Sequence, residues 1–422
     1  MNSNDRSIAS FTMLGHGLVH WFEMSIPIFL VVWLDEFPES VALVGLIIAL
    51  GYAPFGLGAL PAGILADRYG PKRLILLCFA GMSLSFIGLA FATSIYAVGV
   101  ALVIWGIAAS VYHPAGMALI STGAEKRGTV FAYHGMAGNF GIALGPFAAA
   151  TLLIFFDWQL VAILLAIPGL LALLYGLTVD FDTTAAVADD ADAGPGTEMT
   201  LPTFLSNTKT LFASAFILVF VLVTFEGLYY RGILTFLPDI LGDISSLQEL
   251  AGAVSLEGIE PSDYLFVMLL VVGMAGQYAG GKLTEKISVE YSLAGTFGIL
   301  AVLALAFVPL SELGVGVLVV YSALLGFFLF GIQPFYQVAV AVYTPPDTRG
   351  LSYGYTYLAE FGFGAASIAI GGFVIGAQGV AAFFAVLAGF AVVGALLSLA
   401  LLSSETILPF SGGREVEPSE AD

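Results

Sequence analysis

Apolar segments of about 20 residues or more follow one another along nearly the whole chain, and each is long enough to cross a ~30 Å hydrocarbon core as a helix. No water-soluble core can absorb that much apolar surface. Hydrophobic residues make up 59% of the 422 and charged ones 10%, against roughly 45 to 50% and about 25% in a soluble domain. The expected fold class is an all-α polytopic membrane protein, with twelve transmembrane helices in two six-helix bundles. A soluble enzyme is excluded, as is a nucleic-acid binder, since the formal charge is -19 and there is no basic patch. Cys78 is the single cysteine, which excludes a disulfide scaffold. The opening MNSNDR runs directly into an apolar segment without a small-residue cleavage site, so the first span is expected to be retained.

Cutting at polar turns places the spans near 8–34, 41–66, 72–93, 95–121, 128–156, 158–179, 210–241, 263–284, 290–310, 313–343, 348–377 and 379–402. Arg6, Arg68, Lys72, Arg73, Lys126, Arg127, Lys209, Lys282, Lys286, Arg349 and Arg414 then all fall on one side of an alternating twelve-span arrangement. By the positive-inside rule both termini are cytoplasmic in a multi-pass plasma-membrane protein. The remaining cation, Arg231, lies within a span. The expected organisation is an N-terminal bundle over 1–179, an acidic cytoplasmic linker over 180–209, a C-terminal bundle over 210–402 and an acidic tail over 403–422. The linker is rich in Asp, Ala, Gly and Thr and is too polar to bury a core. Segments on the other face, from DEFPES to the stretch holding Asp243, Glu249, Glu257, Glu260 and Asp263, carry only acids. They are read as a surface suited to high salt, in a halophile, with a cation-attracting mouth as the alternative.

The two halves repeat. GILADRYGPKR, from Gly63 to Arg73, ends the second span, and GKLTEK, from Gly281 to Lys286, ends the eighth. His113-Pro114 is answered by Gln333-Pro334, and Arg127-Gly128 by Arg349-Gly350. Three anchors in register make a duplicated six-span unit, an architecture that binds substrate near the midplane between its halves.

These residues resemble a known family. Gly63, Asp67, Arg68, Gly70, Lys72 and Arg73 match the loop signature of the major facilitator superfamily, over a chain whose twelve spans fit it throughout. SVYHP at Ser110–Pro114 and GNFGIALGP at Gly138–Pro146 look like the fosmidomycin-resistance branch of drug exporters. Gly141, Gly145 and Pro146 also resemble the end of a fifth-helix motif of drug:proton antiporters, with Ala148 and Ala149 where that motif has a glycine pair. The resemblance implies alternating access and export.

A carboxylate such as Asp67 at a helix end can accept hydrogen bonds from the N-terminus of a neighbouring helix, while Arg68, Lys72 and Arg73 reach acids or lipid phosphates. With Glu285 and Lys286 as the second copy, this set is expected to form a conformational latch, in which Gly63 packs closely and Gly70 makes a tight turn. The alternative is a set of purely topogenic charges.

Ionisable groups inside spans are costly and mark function. In span one His16, His20 and Glu23, at i, i+4 and i+7, form a polar stripe expected to face the central cavity. Two histidines one turn apart plus a carboxylate could ligate zinc, but a His-Glu-x-x-His order and a cysteine cluster are missing, so no metal or cofactor is expected. In span seven Glu226 lies ~24 Å from the cytoplasmic start. Tyr230 shares its face, and Arg231 is about 140° around the helix from Glu226, so its partner is expected to be Glu23, Glu360 or a substrate anion. Tyr353, Tyr357 and Glu360 make a second stripe, in span eleven, with Glu360 ~17 Å into the membrane and Asn139 at the matching depth in the other half. His113, before Pro114, and His134 are candidates for proton relay or hinge hydrogen bonds. Gln333 and Tyr336 offer polar contacts in span ten.

The resulting expectation is a non-enzymatic secondary transporter, acting as a monomer, that exports a small drug or metabolite by alternating access. Coupling is to protons, through Glu23, Glu226 or Glu360. The Gly-x-x-x-x-Gly-Lys-Ser/Thr loop of ATP-driven pumps is missing. Uptake of an organic anion on Arg231, a receptor on a transporter fold, and an intramembrane metalloenzyme using His16, His20 and Glu23 are the rival readings.

Overall fold

A computed structural model describes residues 1–186, 201–253, 260–284, 286–344 and 349–402. The described chain is all helical, and twelve helices are long and apolar enough to cross a membrane. They are Ser3–Glu36, Val41–Ala66, Pro71–Leu89, Ile95–Gly123, Thr129–Leu153, Trp158–Thr178, Phe216–Gly242, Pro261–Leu283, Val289–Ser311, Val315–Tyr343, Leu351–Gln378 and Val380–Leu401, here spans one to twelve. Ten of them begin within three residues of the sequence-based start; span one starts earlier, at Ser3, and span seven later, at Phe216. The residues before it form a separate helix, Leu201–Phe212, so the linker is not wholly irregular. Ser245–Ala253, in the acidic stretch after span seven, is also helical.

Span one is the most enclosed and span twelve the most open to lipid. Large apolar side chains such as Leu77, Phe91, Leu171 and Phe373 stay exposed on the outer surface, where acyl chains rather than water would meet them. Glycine sets how closely the helices approach. A Cβ on Gly141 of span five would lie 2.0 Å from the Gly17 carbonyl oxygen of span one, and one on Gly227 of span seven 2.4 Å from the Glu360 carbonyl oxygen of span eleven. The one/five and seven/eleven pairs are the same pair in the duplicated unit.

The halves meet along spans two and eleven, where Gly45 packs on Gly372 and Gly56 on Gly362. Spans five and eight touch near the acidic face, through Thr151 and Tyr264, 3.5 Å between their hydroxyls. Between the halves, at mid-depth, lies a cavity of about 420 Å³. A second space of about 450 Å³, lined by Gly63, Ile64, Ser121 and Leu351, shares His113, Met117, Tyr353 and Tyr357 with it and extends it toward the basic face.

That path explains one departure from the sequence reading. Gly63 was expected to pack closely, yet a Cβ there would meet nothing within 4 Å, because Gly63 lines the space that extends the cavity. Gly70 does make the tight turn, at φ +84°. Lys72 donates to the Val179 carbonyl at 2.5 Å and sits 4.9 Å from the centre of the Phe181 ring, while Arg68 lies 5.3 Å from the Tyr69 ring. Glu285 and the side chain of Asp67 lie outside the described residues. Among the described residues, a carboxylate that caps a neighbouring helix is Asp5, fully buried, which accepts from the backbone N–H of Glu125 at 2.9 Å and of Lys126 at 3.2 Å, at the entry to span five.

Candidate functional site

All four histidines of the chain converge on the cavity, although they come from three spans. Glycine makes the room: a Cβ on Gly138 would sit 2.5 Å from the His16 ring, and one on Gly15 would overlap Tyr112. The His16 ring stacks on His134 with centroids 3.9 Å apart, and His113 stands edge-on to His16 at 5.3 Å. Tyr112 donates its hydroxyl to the Thr12 carbonyl, which ties span four to span one beside these rings.

Hydrogen bonds order the cluster. His16 Nδ1 donates to the His134 carbonyl at 2.8 Å, and His20 Nδ1 donates to Glu23 Oε2 at 2.5 Å. The two Nε2 atoms of His16 and His20 lie 3.2 Å apart. Glu23 Oε1 accepts from the guanidinium of Arg231. The Glu23–Arg231 pair joins span one to span seven, and so one half to the other, with both side chains buried. The rings of Tyr52, Phe361 and Tyr230 surround the guanidinium at 4.9, 4.8 and 5.5 Å, and the Tyr52 hydroxyl donates to the Glu23 carbonyl at 2.7 Å. Such a planar cation, ringed by aromatic faces and bonded to a carboxylate, is the form in which a membrane interior holds charge.

The opposite wall is acidic and amidic. Glu360 lies in a π-helical turn, Leu358–Phe363, within span eleven, a local widening frequent at functional positions. Its Oε2 accepts from the Tyr336 hydroxyl at 2.8 Å. Gln277 Nε2 donates to Gln333 Oε1 at 2.9 Å. Tyr357 packs 4.9 Å from the His113 ring, so the two walls touch.

Of the residues predicted from sequence, His16, His20, His113, His134, Asn139, Tyr230, Gln333, Tyr336, Tyr353, Tyr357 and Glu360 line the cavity. Glu23 and Arg231 sit behind that lining, paired with each other, which selects one of the three partners foreseen for Arg231. Glu226 is buried beside the seven/eleven contact and does not line the cavity, and neither carboxylate oxygen has a hydrogen-bond partner among the described residues. Sequence reasoning missed Tyr52, Phe361 and Gln277. A glutamine in the apolar run of span eight was a visible signal. Tyr52 and Phe361 were not distinguishable from ordinary packing aromatics.

Two bundles of six apolar helices around a mid-depth polar cavity define a membrane transporter fold. The Major Facilitator Superfamily family model matches residues 12–367, and the chain belongs to that superfamily. A bacterial homologue of the human lysosomal transporter Spinster, solved inward-facing and occupied, is similar over 98% of both chains, with a TM-score of 0.71 at 15% identity. A peptide transporter, POT, solved with sulfate, is similar over 96% of both at 0.72 and 16%, and the nucleoside transporter NupG over 95% of this chain and 100% of its own at 0.70 and 15%. Among named relatives, the MFS-type transporter YqjV of Bacillus subtilis (strain 168) is 32% identical over 126 residues, 29% of this chain and 30% of its own length. The gallate transporter of Pseudomonas putida is 31% identical over 142 residues, 33% of this chain and 31% of its own. This chain therefore aligns with about a third of each of those two relatives.

Proposed function

We propose that the protein is a proton-coupled secondary transporter that exports a small organic molecule by alternating access, with Glu360 as the proton-carrying group. The observation that carries this reading is the position of Glu360. It is the one acid lining the cavity among the described residues, it is almost fully buried, and it is held by a neutral hydroxyl rather than a cation. As a carboxylate Glu360 accepts from Tyr336; once protonated it becomes a donor to cargo or to a cavity water. A cavity of about 420 Å³ suits a small organic molecule, and its imidazole, phenol and amide lining suits a cargo with several hydrogen-bonding groups. With the basic face cytoplasmic, the space below Tyr353 and Tyr357 is an inward path. Closing it requires the halves to rock about the two/eleven contact, and the Glu23–Arg231 pair ties them at mid-depth.

Uptake of an organic anion is the second reading. The partial similarity to a gallate transporter favours it, as does the buried Arg231 Nε, which has no hydrogen-bond partner among the described residues. Against it, Glu23 already occupies the guanidinium, so an anion would have to displace a carboxylate.

The test begins with a ligand panel scored by thermal stabilisation of the purified chain, since a bound ligand raises the melting temperature by mass action. A stabilising compound is then loaded into proteoliposomes under an imposed pH gradient. The parent should move it against its own gradient, and Glu360→Gln should bind it yet only equilibrate it. Concentrative movement by Glu360→Gln equal to the parent's would remove Glu360 from the coupling role.

A further inference from the structure

We propose that His16, His20 and His113 form a three-imidazole site for a divalent transition-metal ion, with zinc the best match. The argument starts from tautomers. A carbonyl oxygen only accepts, so His16 Nδ1, 2.8 Å from the His134 carbonyl, carries the hydrogen. His20 Nδ1 faces Glu23, a carboxylate also held by Arg231, so it too carries the hydrogen. In both neutral rings the lone pair is then on Nε2. These two Nε2 atoms face each other at 3.2 Å. Two lone pairs at that separation repel unless a cation lies between or beside them.

The geometry fits a metal ion. Ligands bound to tetrahedral zinc at about 2.0 to 2.1 Å stand about 3.3 Å apart, close to the observed contact. A ring nitrogen of His113 brings the third donor, with all three donor atoms within 4.8 Å of one another. His113 makes no hydrogen bond through either ring nitrogen among the described residues, so neither nitrogen is committed elsewhere. The outer partners match as well: histidine ligands usually donate their other N–H to a backbone carbonyl or a carboxylate, and here His16 does the first and His20 the second. Neutral imidazoles favour zinc, cobalt, nickel or copper over magnesium or calcium. The Glu23 carboxylate behind His20 and Glu360 in the same cavity would offset the ion's charge. All three rings line the cavity, so water or a donor atom of the cargo would complete the set. From sequence alone only two histidines and Glu23 were available, and Glu23 proves to be an outer partner; the third ligand comes from span four.

The full chain, purified with an affinity tag free of histidine, is titrated with Zn²⁺ against a chromophoric chelator and with Co²⁺ by visible absorption. The parent should take up one ion per chain and give the intense bands of tetrahedral cobalt. His113→Gln and His20→Asn should each weaken Zn²⁺ binding by at least about tenfold. His134→Gln, which keeps the backbone oxygen that orients His16 but loses the ring stacked on it, should weaken binding less than either ligand variant. Melting curves for each variant separate lost binding from lost fold. A parent that takes up no ion leaves a shared proton between the two rings and overturns the proposal, as does binding that survives both His113→Gln and His20→Asn. The site stands apart from coupling at Glu360: zinc binding by a chain that ignores a pH gradient would keep this inference and sink the other.

Discussion

The two walls of the cavity come from the same six-span unit and carry different chemistry. The N-terminal wall holds all four imidazoles, on spans one, four and five; the C-terminal wall holds Glu360, Tyr336, Gln277 and Gln333, on spans eight, ten and eleven. The scaffold is nevertheless the same, with glycine interlocking spans one and five in one half and spans seven and eleven in the other. In both, the close approach places the chemistry: Gly138 leaves room for the His16 ring, and Gly227 seats the backbone of Glu360. Duplication thus supplied positions, and each copy filled them separately, a lone-pair-rich wall facing one that holds a carboxyl group. The Glu23–Arg231 pair is the one ionic tie between the walls among the described residues.

Cutting that tie should have the largest effect. Arg231→Ala leaves Glu23 buried with only His20 as partner, at a cost of ~3 to 5 kcal/mol, and little folded protein should be recovered from membranes. The Arg231→Met, Glu23→Gln double variant removes both charges and should restore recovery without restoring transport. Equal recovery of Arg231→Ala and parent, by size-exclusion yield, would show that the two halves do not depend on this pair.

The interlocks come next. Gly141→Ala forces a methyl group against the Gly17 carbonyl, and Gly227→Ala does the same against Glu360; each should cost ~1 to 3 kcal/mol, read as a lower melting temperature. Their functional effects should part. Gly227→Ala displaces Glu360 and should lose proton-driven transport beyond what its stability explains, whereas Gly141→Ala should chiefly disturb the imidazole wall and any metal bound there. If both variants lose the same activity in the same proportion, the walls do not have separate roles.

Tyr336→Phe is milder. It removes the one hydrogen bond to Glu360 among the described residues, at ~1 to 2 kcal/mol, and should shift the pH dependence of transport while leaving metal binding unchanged. An unaltered pH profile would mean that Tyr336 only packs.

Periodicity made much of this legible. The span count follows from the lengths of the apolar runs, and the polar stripes of spans one and eleven from helical spacing, because a residue's neighbours at i, i+4 and i+7 are fixed by the helix itself. The meeting of His113 and His134 with His16 was not legible, since it depends on how three helices rotate against each other. Arg231 was visible as a cation inside a span, but its partner required the packing of spans one and seven. Gly63 shows the opposite failure. A glycine in a motif reads as a close contact, and only the shape of the cavity makes it an open one.

The smallest effect should come from the basic-face loops, where the halves again differ. Lys72 has two fixed partners, the Val179 carbonyl at the end of its own half and the Phe181 ring just beyond it, while Lys286 is exposed. Loss of one partly screened charged hydrogen bond and one cation–π contact is worth ~1 kcal/mol at most, so Lys72→Met should lower the melting temperature slightly. Lys286→Met should fall within the ~0.5 kcal/mol scatter of surface substitutions. Transport assays sharpen the contrast. A latch that works by breaking and remaking contacts between conformations would slow turnover in Lys72→Met far more than it lowers stability, with ligand affinity unchanged. Turnover that falls only in step with melting temperature would reduce these lysines to topogenic charges, alike in both halves.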